Sequence, residues 1–416
     1  MLRGRPDLLR FVAARVLGGM AQQMTNVALG WLVYERTHSA YALGLVALFQ
    51  FIPALPLVAA TGHVADNYDR RWVVAAAFMA QILAAAALFT FDTSGFGMGW
   101  LYGLVLLTGA TSAFGLPAQQ ALLATLVPAE EISQAVAFSS STNQLAIMAG
   151  PALGGLAYAW IGPWTFVLAA GLQVLAVILM LVIKPRPITR DSSGGGVWER
   201  AFAGLAYVKS NPILLGAITL DLFAVILAGV TSLLPIFARD ILHSGPLGLG
   251  LLRSAPAIGA VVVGFSLSRW PIQRHAGLTM IWAVGAFGVV TALFGLSHSF
   301  PLSILALAAS GGFDMVSVVV RQTLVQVATP DEMRGRVSAV SSVFISGSNR
   351  LGDFESGIVA GLAGAPAAAV IGGVGSVLVV LATALLAPSF RKADRLNPAI
   401  AKAVEPNAAD EVAKAQ

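Results

Sequence analysis

A chain of 416 residues that is 57% hydrophobic and only 11% charged is not composed like a soluble domain, where about a quarter of the residues carry charge. It has no cysteine, which excludes a disulfide framework and a thiolate metal site. The net charge of +5 does not point to nucleic acid, because the basic residues lie in short loops between apolar runs, as the positive-inside rule describes. The composition is that of a polytopic membrane protein.

Arg3, Arg5 and Arg10 precede the first apolar run. That run is too long for a secretory signal, has no clear small-x-small cleavage site and leads into further runs, so it reads as an uncleaved first helix. Apolar runs predict twelve spans, at 8–34, 41–62, 73–91, 98–126, 134–161, 163–183, 213–238, 246–268, 276–297, 301–327, 337–363 and 367–387. Breakers mark the loops between them, among them Pro128, Gly162-Pro163, Gly245-Pro246, Pro301, Pro330 and Pro366. The longest internal loop, 184–212, begins with a Ser/Gly-rich stretch. It continues into Val197 to Ser210, where Trp198, Phe202 and Leu205 recur at helical spacing. This predicts a short amphipathic helix on the membrane surface. The tail after Pro388 is charged and Ala-rich. The expected divisions are therefore a six-helix bundle over 1–183, a linker over 184–212, a second six-helix bundle over 213–388 and a tail over 389–416.

Orientation follows from Lys and Arg. The N-terminus and loops 63–72, 127–133, 184–212, 269–275 and 328–336 together hold 14 Lys and Arg residues, while the opposite loops hold only Arg36 and Arg239. Both termini are expected in the cytoplasm, which requires an even number of spans. A single ungapped shift of 202 residues maps Gly109 onto Gly311, Gln120 onto Gln322, Pro128 onto Pro330, Ser139 onto Ser341, Gly150 onto Gly352 and Gly155 onto Gly357. Two halves of like orientation follow, a parallel repeat whose shared interface should hold the substrate.

The loop after the second span reads Gly62-His63-Val64-Ala65-Asp66-Asn67-Tyr68-Asp69-Arg70-Arg71. A small residue there allows close helix approach, and a carboxylate can meet a helix N-terminus and arginine partners. The stretch resembles the G-x-L-A-D-R-x-G-R-R signature of the major facilitator superfamily, with Asn67 and Asp69 as departures, and the Asp69 variant is similar to the exporter branch that includes the enterobactin exporter. The resemblance implies a conformational latch on the cytoplasmic side, carried by Gly62, Asp66, Arg70 and Arg71. Gly264 to His275, the equivalent loop of the second half, has no acid, so a latch there should be weaker. Ala146 to Gly155 contains Gly150-Pro151 and Gly154-Gly155, which resembles the family's antiporter motif with Ala146 in place of its first glycine. Such small residues permit close packing and Pro151 favours a bend.

The resemblance implies an all-α membrane protein with twelve helices in two pseudo-symmetric six-helix bundles around a central cavity. Spans three, six, nine and twelve, expected outside, contain no charged residue. Spans one, five and eleven carry Gln22, Asn26, Asn143, Asn349, Arg350, Asp353 and Glu355; span seven carries Asp221 and span eight Arg253. On span ten, Asp314, Ser317 and Arg321 share a helical face. A charge at mid-bilayer costs at least about 2.5–3.5 kcal/mol, so these groups should face one another or water. Arg350 and Asp353, three apart, are helical neighbours, whereas Glu355 is turned away from both. Glu355 is therefore expected to carry protons and Asp353 to pair with Arg350, with Asp314 as the rival carrier.

No phosphate loop, HExxH, GxSxG or metal cluster occurs in the sequence, so neither an enzyme nor an ATP-driven pump is expected, and no cofactor or metal is implied. By resemblance, the expected activity is export of an amphipathic, siderophore- or drug-like small molecule against inward proton flow across a bacterial-type inner membrane, by a monomer. A lysophospholipid flippase, an uptake carrier and a non-transporting receptor or assembly factor are the alternatives. Asp66→Asn is expected to open the cytoplasmic side and lower transport with folding intact. Normal transport, with unchanged accessibility of a cysteine placed in the cytoplasmic half of the cavity, would contradict the latch.

Overall fold

The computed structural model describes residues 5–54, 56–57, 61, 64, 68–94, 97–184, 197–272 and 274–391. The first half comprises α1 (Pro6–Thr37), α2 (Ala40–Phe51), α3 (Arg70–Ser94), α4 (Met98–Leu126), α5 (Ile132–Ile161) and α6 (Trp164–Val182). A linker helix, α7 (Val197–Ser210), leads to the second half. That half comprises α8 (Pro212–Leu227), α9 (Gly245–Arg269), α10 (Ala276–Leu296), α11 (Phe300–Val327), α12 (Asp331–Ala363) and α13 (Ala365–Leu386), and a final turn, α14 (Pro388–Arg391), follows. Among the described residues, nine helical tracts are long and apolar enough to cross a membrane. α1 and α12 are long but carry the polar residues that a transporter interior needs. α2 is 12 residues long, and part of the run expected to extend it, 41–62, lies outside the described residues.

The internal repeat reappears as equivalent contacts. A Cβ on Gly109 would overlap the Gln50 carbonyl of α2, and one on Gly311 would overlap the Pro256 carbonyl of α9. A Cβ on Gly150 would stand 2.6 Å from the Gln23 Cβ of α1, and one on its counterpart Gly352 would stand 2.6 Å from the Val225 carbonyl of α8. The third pair joins the halves. Gly155 of α5 would place a Cβ 2.8 Å from the Gly250 Cα of α9, and Gly357 of α12 would place one 2.6 Å from the Gly44 Cα of α2. Only helices without a side chain at these points can approach so closely.

Both seams lie toward the end of the molecule away from the N-terminus. There an apolar cluster is shared by the halves, with Leu32, Phe91 and Phe166 from the first and Phe237, Phe294 and Leu307 from the second. Tyr34 donates a hydrogen bond to the Asp240 carboxylate across the same boundary. At the end that carries the N-terminus, the apolar clusters each belong to a single half: Leu8, Phe11, Leu122 and Met180 in one, Met280, Leu324 and Phe390 in the other. The halves are thus closed together at the distal end.

The seventh span departs from the expected continuous helix over 213–238. α8 stops at Leu227 and residues 228–230 are not helical. The chain resumes through a 3₁₀ turn (Thr231–Leu233), a short helix (Leu234–Ile236) and a π turn (Phe237–Ile241). The cause is tertiary. Gly229 is pressed against α12, where a Cβ would come 2.6 Å from the Gly352 carbonyl carbon, and the freed N–H of Ser232 is taken by Asp353. α7 forms as expected, and it lies against the second half. Leu205 and Val208 pack with Val337 and Val340, and Tyr207 donates to the Ala328 carbonyl at 2.9 Å. At α14, Phe390 is fully buried against Gly216 of α8 and Gly277 of α10.

Gly357→Val should force α2 and α12 apart and lower the melting temperature in detergent, an overpacking cost of about 1–3 kcal/mol. Gly103→Ala is the control, since a Cβ there meets nothing within 4 Å. Equal melting temperatures for the two variants would contradict the close seam.

Candidate functional site: a polar cavity between the halves

Between the halves lies a cavity of about 580 Å³, lined by residues of α1, α2, α4 and α5 on one side and of α9, α12 and the broken seventh span on the other. A second space of about 270 Å³ extends it among α1, α3, α4 and α5. The two share Gln23, Asn26, Gln50 and Arg350. Cavities of this combined size hold small organic molecules.

Several residues singled out from the sequence meet here. Asn26, Asn349, Arg350 and Asp353 line the larger space, and Gln22, Asn26 and Asn143 the smaller. Arg350 donates to the Gln50 side chain across the halves at 2.7 Å. Asp353 does not touch Arg350; it accepts from the Ser232 backbone N–H at 3.0 Å, while the Ser232 hydroxyl donates to its carbonyl at 2.8 Å. Asp353 feels the positive charges of both Arg350 and Arg253. Arg253 also lines the larger space, and its Nε is buried with no hydrogen-bond partner. Sequence reasoning did not select Gln50, Gln81, Gln119, Ser232 and Arg15 as site residues, although all five line the cavity. A glutamine inside an apolar run was the available signal for three of them.

Three predicted acids are placed elsewhere. Asp221 forms a buried ion pair with Arg321 and accepts from Ser317 at 3.1 Å. Arg321 is 3% exposed and Asp221 5%, so neither reaches the membrane surface. Asp314 stands beside them, feeling the charges of Asp221 and Arg321, and together with Ser317 and Asp221 it lines a narrow gap of about 10 Å³ inside the second half. Two acids thus stand near one arginine, which pairs with Asp221 alone, away from the central cavity. Glu355 accepts a long bond from Ser356, 3.4 Å, and lies on the outer face of α12 with the exposed Leu351, Ile358 and Leu362; it lines neither cavity.

The small residues of α5 have separate duties. Gly150 and Gly154 bring α5 against Gln23 and Met24 of α1, Gly155 brings it against α9, and Pro151 lines the cavity. Of the expected latch, Gly62 and Asp66 lie outside the described residues. Arg70 donates to the Ala121 carbonyl at 3.2 Å, and Arg71 to the Ile183 carbonyl at 2.9 Å, which ties the start of α3 to the ends of α4 and α6. Among the described residues, no cluster of His, Asp or Glu is disposed to hold a metal.

Two repeated helical halves enclosing a polar cavity, closed at one end, define a membrane transporter of the major facilitator kind. The chain belongs to the transmembrane secretion effector family, whose model matches residues 8–415. It is 26% identical over 415 residues to the enterobactin exporter EntS of Citrobacter koseri, an alignment covering 94% of each chain. The fold is also that of a solved point mutant of the nucleoside transporter NupG, with a TM-score of 0.74 at 14% identity over 91% of this chain and 99% of that one. A bacterial homologue of the lysosomal transporter Spinster, solved inward-facing and unoccupied, gives a TM-score of 0.67 at 14% identity over 92% of this chain and 95% of that one. The protein is a transporter and not an enzyme.

Asp221→Asn should leave Arg321 buried without its counter-charge and destabilise the protein by about 3–5 kcal/mol. The pair Asp221→Asn with Arg321→Gln should recover most of that loss, because the uncompensated charge is gone. A single variant that melts with the wild type would show that the pair does not hold the bundle.

Proposed function

We propose that this protein exports an amphipathic small molecule, siderophore- or drug-like, by alternating access driven by inward proton flow. Its polar cavity between two halves, which among the described residues meet at the distal end, is the observation that supports this reading best. The distribution of Lys and Arg sets the N-terminal end in the cytoplasm, so the described conformer receives its substrate from the cytoplasmic side of an inner membrane. The substrate sits between Asn26, Gln50, Asn349 and Arg350. Export then requires the distal seams, Gly44 on Gly357 and Gly155 on Gly250, to part while the cytoplasmic ends come together. The protein acts as a monomer, since each chain holds a whole cavity. The name of the Citrobacter koseri relative makes enterobactin the first substrate to try.

Asp314 carries the coupling proton. It stands beside the Asp221–Arg321 pair with no hydrogen bond or ion pair of its own, so gaining a proton removes an uncompensated buried charge. Its neighbours span α8, α10 and α11, so protonation can alter how α11 packs within the second half. Glu355 lies outside this cluster, on the bilayer side of α12.

The test uses inside-out proteoliposomes with an acidic lumen. Wild-type protein should accumulate enterobactin, Asp314→Asn should lose at least about tenfold of the gradient-driven flux, and Glu355→Gln should keep it. Full gradient-driven flux in Asp314→Asn with loss in Glu355→Gln would move the proton to α12. Uptake in the opposite direction would identify an importer, and the absence of flux with any probe would favour a receptor.

A further inference from the structure

We propose that Arg253 and Arg350 form an oxyanion clamp in the central cavity, so that the transported molecule bears an acidic group, carboxylate-like in its chemistry. The inference rests on the reading of this cavity as the transport site. Among the described residues that line the two connected spaces, the positive charges are Arg15, Arg253 and Arg350 and the negative one is Asp353. The surplus on the cavity wall is therefore positive.

The two arginines of the clamp are not equivalent. Arg350 is anchored by Gln50 of the opposite half at 2.7 Å, which holds the guanidinium across the cavity but leaves its charge unmatched. Arg253 makes no hydrogen bond or ion pair, and its Nε is buried. A guanidinium offers five N–H donors and no acceptor, and Arg253 is half-buried on the cavity wall, so the donors it turns to the cavity are left for what enters it. Asp353 does not fill that role. Its carboxylate is directed to the Ser232 N–H, and it offsets a single positive charge while two arginines act on it. A planar oxyanion matches the guanidinium fork in two parallel hydrogen bonds, and the surrounding amides of Gln23, Asn26 and Asn349 can serve the rest of a polar ligand. Arg253 belongs to α9 and Arg350 to α12, the two helices of the second half that carry the distal seams. A ligand gripped by both therefore acts on the elements that must move.

The experiment compares 2-naphthoate with its neutral counterpart 2-naphthamide, by equilibrium dialysis against the full-length protein in nanodiscs, with empty nanodiscs subtracted. The naphthoate should bind roughly tenfold more tightly, the scale of a charge-assisted contact. Arg253→Gln should remove that preference, and Arg253→Lys should keep part of it. Asp353→Asn retains an acceptor for Ser232 but removes the competing charge, so it should tighten naphthoate binding and leave naphthamide unchanged. A merely structural role for these residues would weaken both ligands alike. No preference for naphthoate in the wild type, or a preference that survives Arg253→Gln, overturns the clamp. Binding preference without flux in proteoliposomes would sink the transport reading and leave the clamp standing; flux of a neutral or cationic probe without that preference would do the reverse.

Discussion

A charge inside a bilayer has two refuges, a partner or water, and this protein is arranged around that constraint. Asp221 and Arg321 take the first, in a pair sealed inside the second half. Arg253, Arg350 and Asp353 take the second, turned onto the cavity between the halves. The cavity is thus required by the same physics that makes it useful, because guanidiniums on spanning helices need a partner or water. The helices on the outside pack by small residues instead, since apolar side chains gain little by leaving lipid for one another.

The contact between the halves has a different character from the contact within them. Each half has an apolar cluster of its own at the end that carries the N-terminus, while the halves meet at the distal end through glycine approaches, a shared apolar cluster and the Tyr34–Asp240 bond. Glycine seams give close backbone contact with few interlocking side chains, so the shared apolar cluster is the main packing that must separate when the distal end opens. The broken seventh span lies beside one seam and the cavity together. Its residues 228–230 lean on α12 at Gly352 and Asp353, so a change at the cavity wall is felt at once by the element that continues into the distal closure.

Much of this was legible in the sequence because its causes are local or periodic. The apolar runs located the helices, and the repeat of Gly150 and Gly155 as Gly352 and Gly357 anticipated equivalent contacts in the two halves. The placement of the charges was legible only within a helix. Spacing set Glu355 on a different face from Arg350 and Asp353, yet could not say that Arg350 would meet Gln50, 300 positions away, or that Asp353 would serve a backbone N–H rather than an arginine. The face shared by Asp314, Ser317 and Arg321 was visible, but whether it turns toward the central cavity or toward α8 depends on how α11 is rotated in its bundle. The break at 228–230 was invisible because the run there is apolar and its cause sits on another helix.

Alternation of the two ends is the central claim, and the absence of cysteine from the chain makes it directly measurable. Spin labels on Glu35→Cys and His243→Cys report the distal separation of the halves, and labels on Ser133→Cys and Ser338→Cys report the opposite end, all at exposed positions. Double electron–electron resonance in lipid should show the distal distance lengthening and the opposite distance shortening together when the medium is acidified. Two distances that stay fixed, or that lengthen together, would contradict an alternating-access transporter.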